Sequence, residues 1–193
     1  MKRTATLLLL LIFSTIVIAQ ETYVNRPSAE HPFGKPHPEA PKEIMDYAPL
    51  IGVSDCQSVS RVSQTEWADT VSMEWHWKYI LNGWGIQDET LKADGTHSGS
   101  IRQFNADSAQ WYVHYYTTSA ATPTLNTWAG DGREGGDIVL YMPQKAPNGF
   151  DGFFKIRFSD ISDEGFNWEG AWVDPAETIN YSSWRIFCRK RVD

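Results

Sequence analysis

Arg102 is the charged side chain in this sequence with the most evident chemical use. It lies in an alternating run in which Ser100, Arg102 and Phe104 share one face of a predicted strand. If Phe104 faces inward, Arg102 also faces inward. An inward arginine could stack on an indole ring and donate hydrogen bonds to a carboxylate or carbonyl group of a ligand. The alternative is that Arg102 closes the floor of the fold by stacking on a tryptophan, with its guanidinium in water.

Aromatic side chains recur at every second position of several short runs, which indicates strands with one buried face. The opposite face of the same runs carries charged side chains, whose burial would cost far more than their exposure. We therefore expect the aromatic face to point inward, as the lining of a small-molecule pocket. The candidate ligand-binding residues are Trp75, Trp77, Arg102, Trp111, Tyr115, Trp168 and Trp172. The alternative is that these aromatic residues form a packed core.

No catalytic or metal-binding motif is specific enough to predict a reaction. The sequence lacks a Gly-x-Ser-x-Gly elbow, a His-Glu-x-x-His pair, a phosphate-binding glycine loop and a dinucleotide fingerprint. We therefore predict no catalytic residue, no metal ligand and no cofactor. His76 and His114 could act in acid–base chemistry, but both fall on the predicted outer face. An enzyme would need an inward acid–base pair, and His97 or Glu89 beside Arg102 in the lumen would favour that alternative.

The two cysteines, Cys56 and Cys188, lie near the two ends of the predicted folded region. An export signal would place them in an oxidising compartment, where such a pair tends to form a disulfide. We predict a Cys56–Cys188 disulfide that joins the first and last strands. Two free buried thiols are the alternative.

The alternating runs predict an all-β fold of about ten strands. Turn dipeptides such as Asn82-Gly83 and Asp94-Gly95 separate neighbouring runs, and the short spacing leaves no room for crossover helices. The simplest closure is an antiparallel up-and-down barrel of the calycin or lipocalin type, and a two-sheet sandwich is the alternative. The predicted strands lie near 54–63, 70–81, 85–92, 97–104, 110–117, 124–129, 137–142, 151–159, 165–173 and 180–190.

The N-terminal 49 residues differ in composition from the rest of the chain. Residues 1–19 combine Lys2 and Arg3 with an apolar stretch of about 12 residues, which is typical of a secretory signal peptide and short for a membrane span. Residues 20–49 contain six prolines and are predicted to be a linker or arm, with a short helical turn near 46–50. Residues 50–193 are predicted to form the barrel domain.

The charge balance bears on the class of partner. After removal of the predicted signal peptide the net charge is about −9, which gives no electrostatic reason to bind nucleic acid or anionic lipid. No later segment is apolar enough to span a membrane. We predict a protein that is secreted or located in the periplasm or cell envelope, with a small apolar or amphipathic molecule as its partner.

Four motifs, in order, resemble a known family. They are residues 77–88 (WKYILNGWGIQD), 99–104 (GSIRQF), 111–115 (WYVHY) and 157–168 (RFSDISDEGFNW). Together they resemble the DUF1579-type family of calycin-like barrel proteins, akin to lipocalins and nitrobindin, over roughly residues 50–191. The resemblance implies a barrel with a lumen, in which Arg102, Trp111 and Trp168 are the matching positions, and it implies no established reaction.

The chain departs from the family pattern at three places. The first-strand Gly-x-Trp is replaced by Gly52-Val53-Ser54, Ala171 stands in place of an acidic residue, and the haem-ligand pattern is missing from residues 182–185. Haem binding is therefore not expected. We predict a secreted, lipocalin-like barrel that binds a small, largely apolar ligand in an aromatic lumen. The alternatives are a barrel enzyme (a cyclase, isomerase or lyase) and a packed structural or envelope interaction protein.

Overall fold

The computed structural model describes residues 23–133 and 136–191, so the predicted signal peptide lies outside the described residues. Ten strands follow one another along the chain, as the alternating runs predict. They are β1 (Gly52–Ser60), β2 (Val71–Ile80), β3 (Gly85–Lys92), β4 (His97–Asn105), β5 (Gln110–Thr117), β6 (Asn126–Gly130), β7 (Ile138–Pro143), β8 (Phe153–Ser162), β9 (Gly165–Val173) and β10 (Asn180–Lys190). Two 3-10 helices, Lys42–Leu50 and Leu81–Gly83, are the described helical elements.

The ten strands close into one antiparallel barrel. Each strand pairs with its neighbour in sequence, and β1 pairs with β10 to complete the ring. The predicted up-and-down barrel is thereby confirmed, and the two-sheet sandwich is wrong. Closure leaves no open sheet edge, which is the usual advantage of this architecture. Within residues 23–133 and 136–191, no helix is long and apolar enough to cross a membrane.

The up-and-down order gives the barrel two distinct ends. The loops β1–β2, β3–β4, β5–β6, β7–β8 and β9–β10 lie at one end, which we call the mouth end. The remaining hairpin loops and the segment before β1 lie at the other, which we call the plug end. Because side chains alternate along each strand, every second residue faces the lumen. The buried members of β2, Trp75 and Trp77, and of β5, Trp111 and Val113, confirm the predicted inward face.

The predicted disulfide is present. Cys56 and Cys188 face each other in the β1–β10 ladder, and their sulfur atoms are bonded at 2.02 Å. The alternative of two free thiols is therefore wrong. The bond joins residues 132 positions apart and links the first strand to the last where the barrel closes.

Part of the segment predicted as an arm packs into the barrel. The helix Lys42–Leu50, which we call the plug helix, buries Ile44, Tyr47 and Leu50 in the core. A 3-10 helix places residues three apart on one face, so this spacing produces an apolar stripe. The prolines around it hide that stripe in the sequence, because they suggest extended chain rather than packed structure.

The segment before the plug helix is tied to the plug end by backbone hydrogen bonds. Tyr79 N–H donates to Phe33 O at 2.8 Å, and His37 N–H donates to Gly83 O at 3.1 Å. Gly83 has φ +90°, and a Cβ atom there would lie 2.4 Å from backbone atoms of Lys35 and His37. The glycine of the predicted Asn82-Gly83 turn therefore permits a close approach of two chain segments as well as the turn itself.

Candidate ligand-binding site

The plug end of the lumen is filled by aromatic rings. Tyr47 of the plug helix stacks on Trp77, with ring centroids 5.8 Å apart, and meets Trp111 edge-on at 4.9 Å. Phe158 approaches Tyr47 edge-on at 6.1 Å. All four side chains are essentially inaccessible to solvent. Interlocked edge-to-face rings leave no room for a ligand in this half of the barrel.

Asp46 fastens the plug helix to the barrel. Its carboxylate accepts a hydrogen bond from Trp111 Nε1 at 3.0 Å and a second from the backbone N–H of Arg133, also at 3.0 Å. These two hydrogen bonds fix the position of the plug helix, so the neighbouring Tyr47 is held against the rings that its side chain contacts.

Arg102 faces the lumen, as the alternation of β4 predicts, and lies at the boundary between the two halves of the barrel. Its side chain is only 3% exposed, and its guanidinium carbon lies 4.3 Å from the Trp77 ring centroid and 5.2 Å from that of Tyr47. Guanidinium groups stack well on aromatic faces and are less strongly hydrated than ammonium groups, so this environment suits arginine better than lysine.

Asp88 is the partner of Arg102, and sequence reasoning did not single it out. One carboxylate oxygen accepts a hydrogen bond from Arg102 Nη1, and the other accepts one from Trp75 Nε1 at 2.8 Å. The pair is as buried as a hydrophobic core residue. The sequence did contain a signal for this residue. Ile86, Asp88 and Thr90 are every second residue of β3, so the alternation that turns Ile86 inward also turns the Asp88 carboxylate inward.

The burial of this cluster shifts two pKa values. Desolvation raises the pKa of Tyr47 to about 12, while the charge of Arg102 acts in the opposite direction. Desolvation lowers the pKa of Arg102 to about 10, so its guanidinium remains charged at neutral pH. Among the described residues, the Tyr47 hydroxyl, Trp77 Nε1 and Arg102 Nε are buried without a hydrogen-bond partner.

A cavity of about 140 Å³ occupies the mouth half of the lumen, above the Arg102–Asp88 pair. Its polar wall comes from β3 and β4, and the rest of its wall is aromatic or aliphatic. The lining residues are Trp75, Asp88, Thr90, Ser98, Ser100, Arg102, Val113, Tyr115, Trp128, Phe154, Ile156, Trp168, Trp184 and Ile186. A mostly apolar enclosure with a few polar groups on one side is the usual composition of a small-molecule site.

The cavity lies toward the mouth end. Tyr115, Phe154 and Trp184, which are half-buried, belong to the parts of their strands nearest the mouth loops. Those loops also expose apolar side chains, with Phe150 at 69% and Val62 at 64%. The mouth end is therefore less tightly packed than the plug end.

The structure divides the seven predicted ligand-binding residues into three groups. Four of them line the cavity: Trp75, Arg102, Tyr115 and Trp168. Trp77 and Trp111 lie in the packed plug end. Trp172 lies apart from both, because its indole packs over Gly152 and donates to Gln144 O at 3.0 Å. Alternation predicts the face of each residue but not its height along the barrel axis.

Sequence reasoning also missed several residues of the cavity wall. Ser98 and Ser100 share the face of Arg102, and Trp128 belongs to a short strand with weak alternation. The residues proposed for an enzyme, His97 and Glu89, lie on the outer face, in register with Leu91 and Gly99. Within the described part of the chain, no group of three or more histidine, cysteine or acidic residues is placed to hold a metal ion.

A larger groove of about 670 Å³ lies on the outer surface beside β6 and β7. Two of its carboxylates are already engaged, since Glu177 accepts a hydrogen bond from Tyr141 at 2.5 Å and Asp137 pairs with Arg157 at 2.6 Å. The groove is shallow and open to solvent, whereas the lumen cavity is lined by six aromatic residues and has a buried ion pair at its floor. The lumen cavity is therefore the stronger candidate for a binding site.

Comparisons with known proteins identify the fold and not the family. No protein-family model matches the chain, and no curated protein matches it. Among solved structures, the crystal structure of Rv2717c from M. tuberculosis is similar, with a TM-score of 0.56 and 9% identity over 80% of this chain and 100% of that one. The similarity supports a barrel fold of this kind, and the resemblance to the DUF1579-type family remains a prediction.

Proposed function

We propose that this protein is an exported binding protein that holds a small, largely apolar molecule in the mouth-half cavity. The observation that carries the proposal is the cavity itself, a space lined mainly by apolar side chains in a barrel whose other half is tightly packed. A barrel that served only as a rigid structure would gain stability by filling this space, because unfilled cavities lower stability.

The size of the cavity limits the ligand. A cavity of about 150 Å³ with apolar walls holds one benzene molecule, and the cavity here has about 140 Å³. The enclosed part of the ligand is therefore about one ring in size. A longer molecule would extend through the mouth, past Tyr115, Phe154 and Trp184.

Export and family membership belong to the same proposal. The basic start and apolar stretch of residues 1–19 support a secretory signal peptide. The Cys56–Cys188 disulfide supports an oxidising compartment, such as the periplasm or the cell exterior. The order of the four sequence motifs supports membership of the DUF1579-type, lipocalin-like barrels.

The two alternatives receive less support from the side chains. The packed-barrel alternative describes the plug end well, but it leaves the mouth-half cavity unexplained. The enzyme alternative requires an inward acid–base pair, which His97 or Glu89 beside Arg102 would have favoured, and neither of these residues faces the lumen. The carboxylate that does face it, Asp88, already accepts a hydrogen bond on each oxygen.

Native mass spectrometry of the exported protein, followed by denaturing analysis of what co-purifies, tests the proposal. We expect a bound molecule, or a rise in melting temperature with one-ring compounds such as toluene. Val113→Phe should abolish either signal, since Val113 lines the cavity and the larger ring would fill it. Val53→Phe is the matched control, because Val53 is on the outer face of β1 and half-exposed.

Equal binding by Val113→Phe and Val53→Phe would place the ligand outside the lumen. An unliganded protein with no change in melting temperature across such a panel would overturn the proposal and favour the packed barrel.

A further inference from the structure

We propose that the cavity selects neutral ring compounds that carry one hydrogen-bonding group and rejects carboxylates of the same size. The inference rests on the proposed function and defines the chemical class of its ligand. It also changes the sequence-based expectation that Arg102 could anchor a ligand carboxylate.

Among the residues that line the cavity, the charged ones are Arg102 and Asp88, and they are paired with each other. The positive charge of Arg102 is already neutralised inside the barrel. A ligand carboxylate would lose its hydration on entering and would also approach the carboxylate of Asp88. The site therefore provides no free cation to compensate an anion.

The polar groups of the cavity wall that can still bind a ligand are hydroxyls. Ser100 is buried in the cavity wall, and its hydroxyl makes no hydrogen bond to any described residue. Thr90 and Ser98 already share a hydrogen bond of 2.6 Å between their hydroxyls. Hydroxyls can donate and accept, so this wall suits an alcohol, a carbonyl or an amide group. The opposite wall, with Trp128, Phe154 and Ile156, suits an apolar ring.

A cation lies near the mouth of the cavity. Lys92 lies with its ammonium group 4.7 Å from the Trp184 ring centroid, and it is not among the residues that line the cavity. The ammonium group of Lys92 makes a cation–π contact with this indole and is otherwise hydrated at the mouth. It could attract anions to the mouth end without stabilising them at the floor of the cavity.

Titration calorimetry with three probes of similar size tests the inference: benzamide, benzoate and toluene at pH 7. Benzamide and benzoate have nearly the same shape and differ in charge. We expect the dissociation constant of benzamide to be at least about tenfold lower than that of benzoate. Equal or tighter binding of benzoate would overturn the inference while leaving the proposed function intact. Binding of toluene without benzamide would also overturn it, and binding of none of the three would overturn both proposals.

Two variants test the residues that carry the argument. Ser100→Ala should weaken benzamide binding and leave toluene binding unchanged, whereas Ser72→Ala, on the exposed face of β2, should change neither. Asp88→Asn should strengthen benzoate binding at least about tenfold, because the charge of Arg102 would then be uncompensated. No change in benzoate binding in a folded Asp88→Asn protein would contradict the inference. If that variant does not fold, the wild-type probes and Ser100→Ala still decide it.

Discussion

The plug end and the mouth end of this barrel are built from the same ten strands, but they differ in packing. At the plug end, Tyr47 fills the lumen against Trp77 and Trp111, and these rings are inaccessible to solvent. At the mouth end, Tyr115 and Trp184 are half-buried around a cavity of about 140 Å³. The plug helix enters the lumen at one end, and no described residue does so at the other.

This difference shows that an aromatic inward face does not by itself make either a core or a binding site. A barrel of about ten strands has a lumen wider than aliphatic side chains can fill, so its interior needs additional groups or remains open. Here the additional group is a tyrosine from outside the sheet. The buried Arg102–Asp88 pair lies at the boundary, where the packed rings end and the cavity begins.

Removal of the disulfide should give the largest effect on stability. Cys56 and Cys188 close a loop of 132 residues, so the Cys56→Ser/Cys188→Ser double variant should lose at most about 5 kcal/mol of unfolding free energy. Urea unfolding measures the loss. A reducing agent should destabilise the wild-type protein by a similar amount and leave the double variant unchanged. An unchanged midpoint in the double variant would contradict this prediction.

Matched tyrosine substitutions should separate the two ends next. Tyr47→Ala removes a fully buried ring that touches three others, so we expect a loss of about 3–5 kcal/mol. Tyr115→Ala removes a half-buried ring at the mouth and should cost less than about 2 kcal/mol. Urea unfolding of both variants makes the comparison. Similar losses in the two variants would show that the mouth end is as tightly packed as the plug end.

Tyr47→Phe should give the smallest effect and should depend on pH. The Tyr47 hydroxyl has no hydrogen-bond partner among the described residues, so its loss should change stability by about 1 kcal/mol or less at pH 7. The pKa of Tyr47 is raised from 10.0 to about 12 in the folded protein. Between these two values the folded state binds more protons than the unfolded state, so stability falls as pH rises.

The phenylalanine variant lacks this ionisation, so its stability should fall less steeply than that of the wild type from pH 10 upward. Unfolding free energies at pH 8, 10 and 11 measure the difference in slope. Parallel curves would show that the pKa of Tyr47 is the same in the folded and unfolded states, and would contradict the raised value. Tyr115→Phe is the control from the mouth end.

The sequence alone was sufficient for the strands, their order and the inward face. The alternation of side chains follows from the local geometry of a strand, and turn dipeptides mark where each strand ends. Both signals are local, so they can be recognised without knowledge of tertiary contacts. The pairing of Cys56 with Cys188 needed one further inference, that a closed barrel brings its first and last strands together.

The tertiary structure decided the depth of each inward residue, the partner of Arg102 and the role of the plug helix. Trp77 and Trp111 share the inward face with Trp75, but they lie below the cavity, at a height set by the register and tilt of the strands. Asp88 meets Arg102 because β3 and β4 pair in one register, although the two residues are 14 positions apart. Tyr47 reaches the lumen through contacts with residues far along the chain, and a proline-rich segment gives no local sign of such packing.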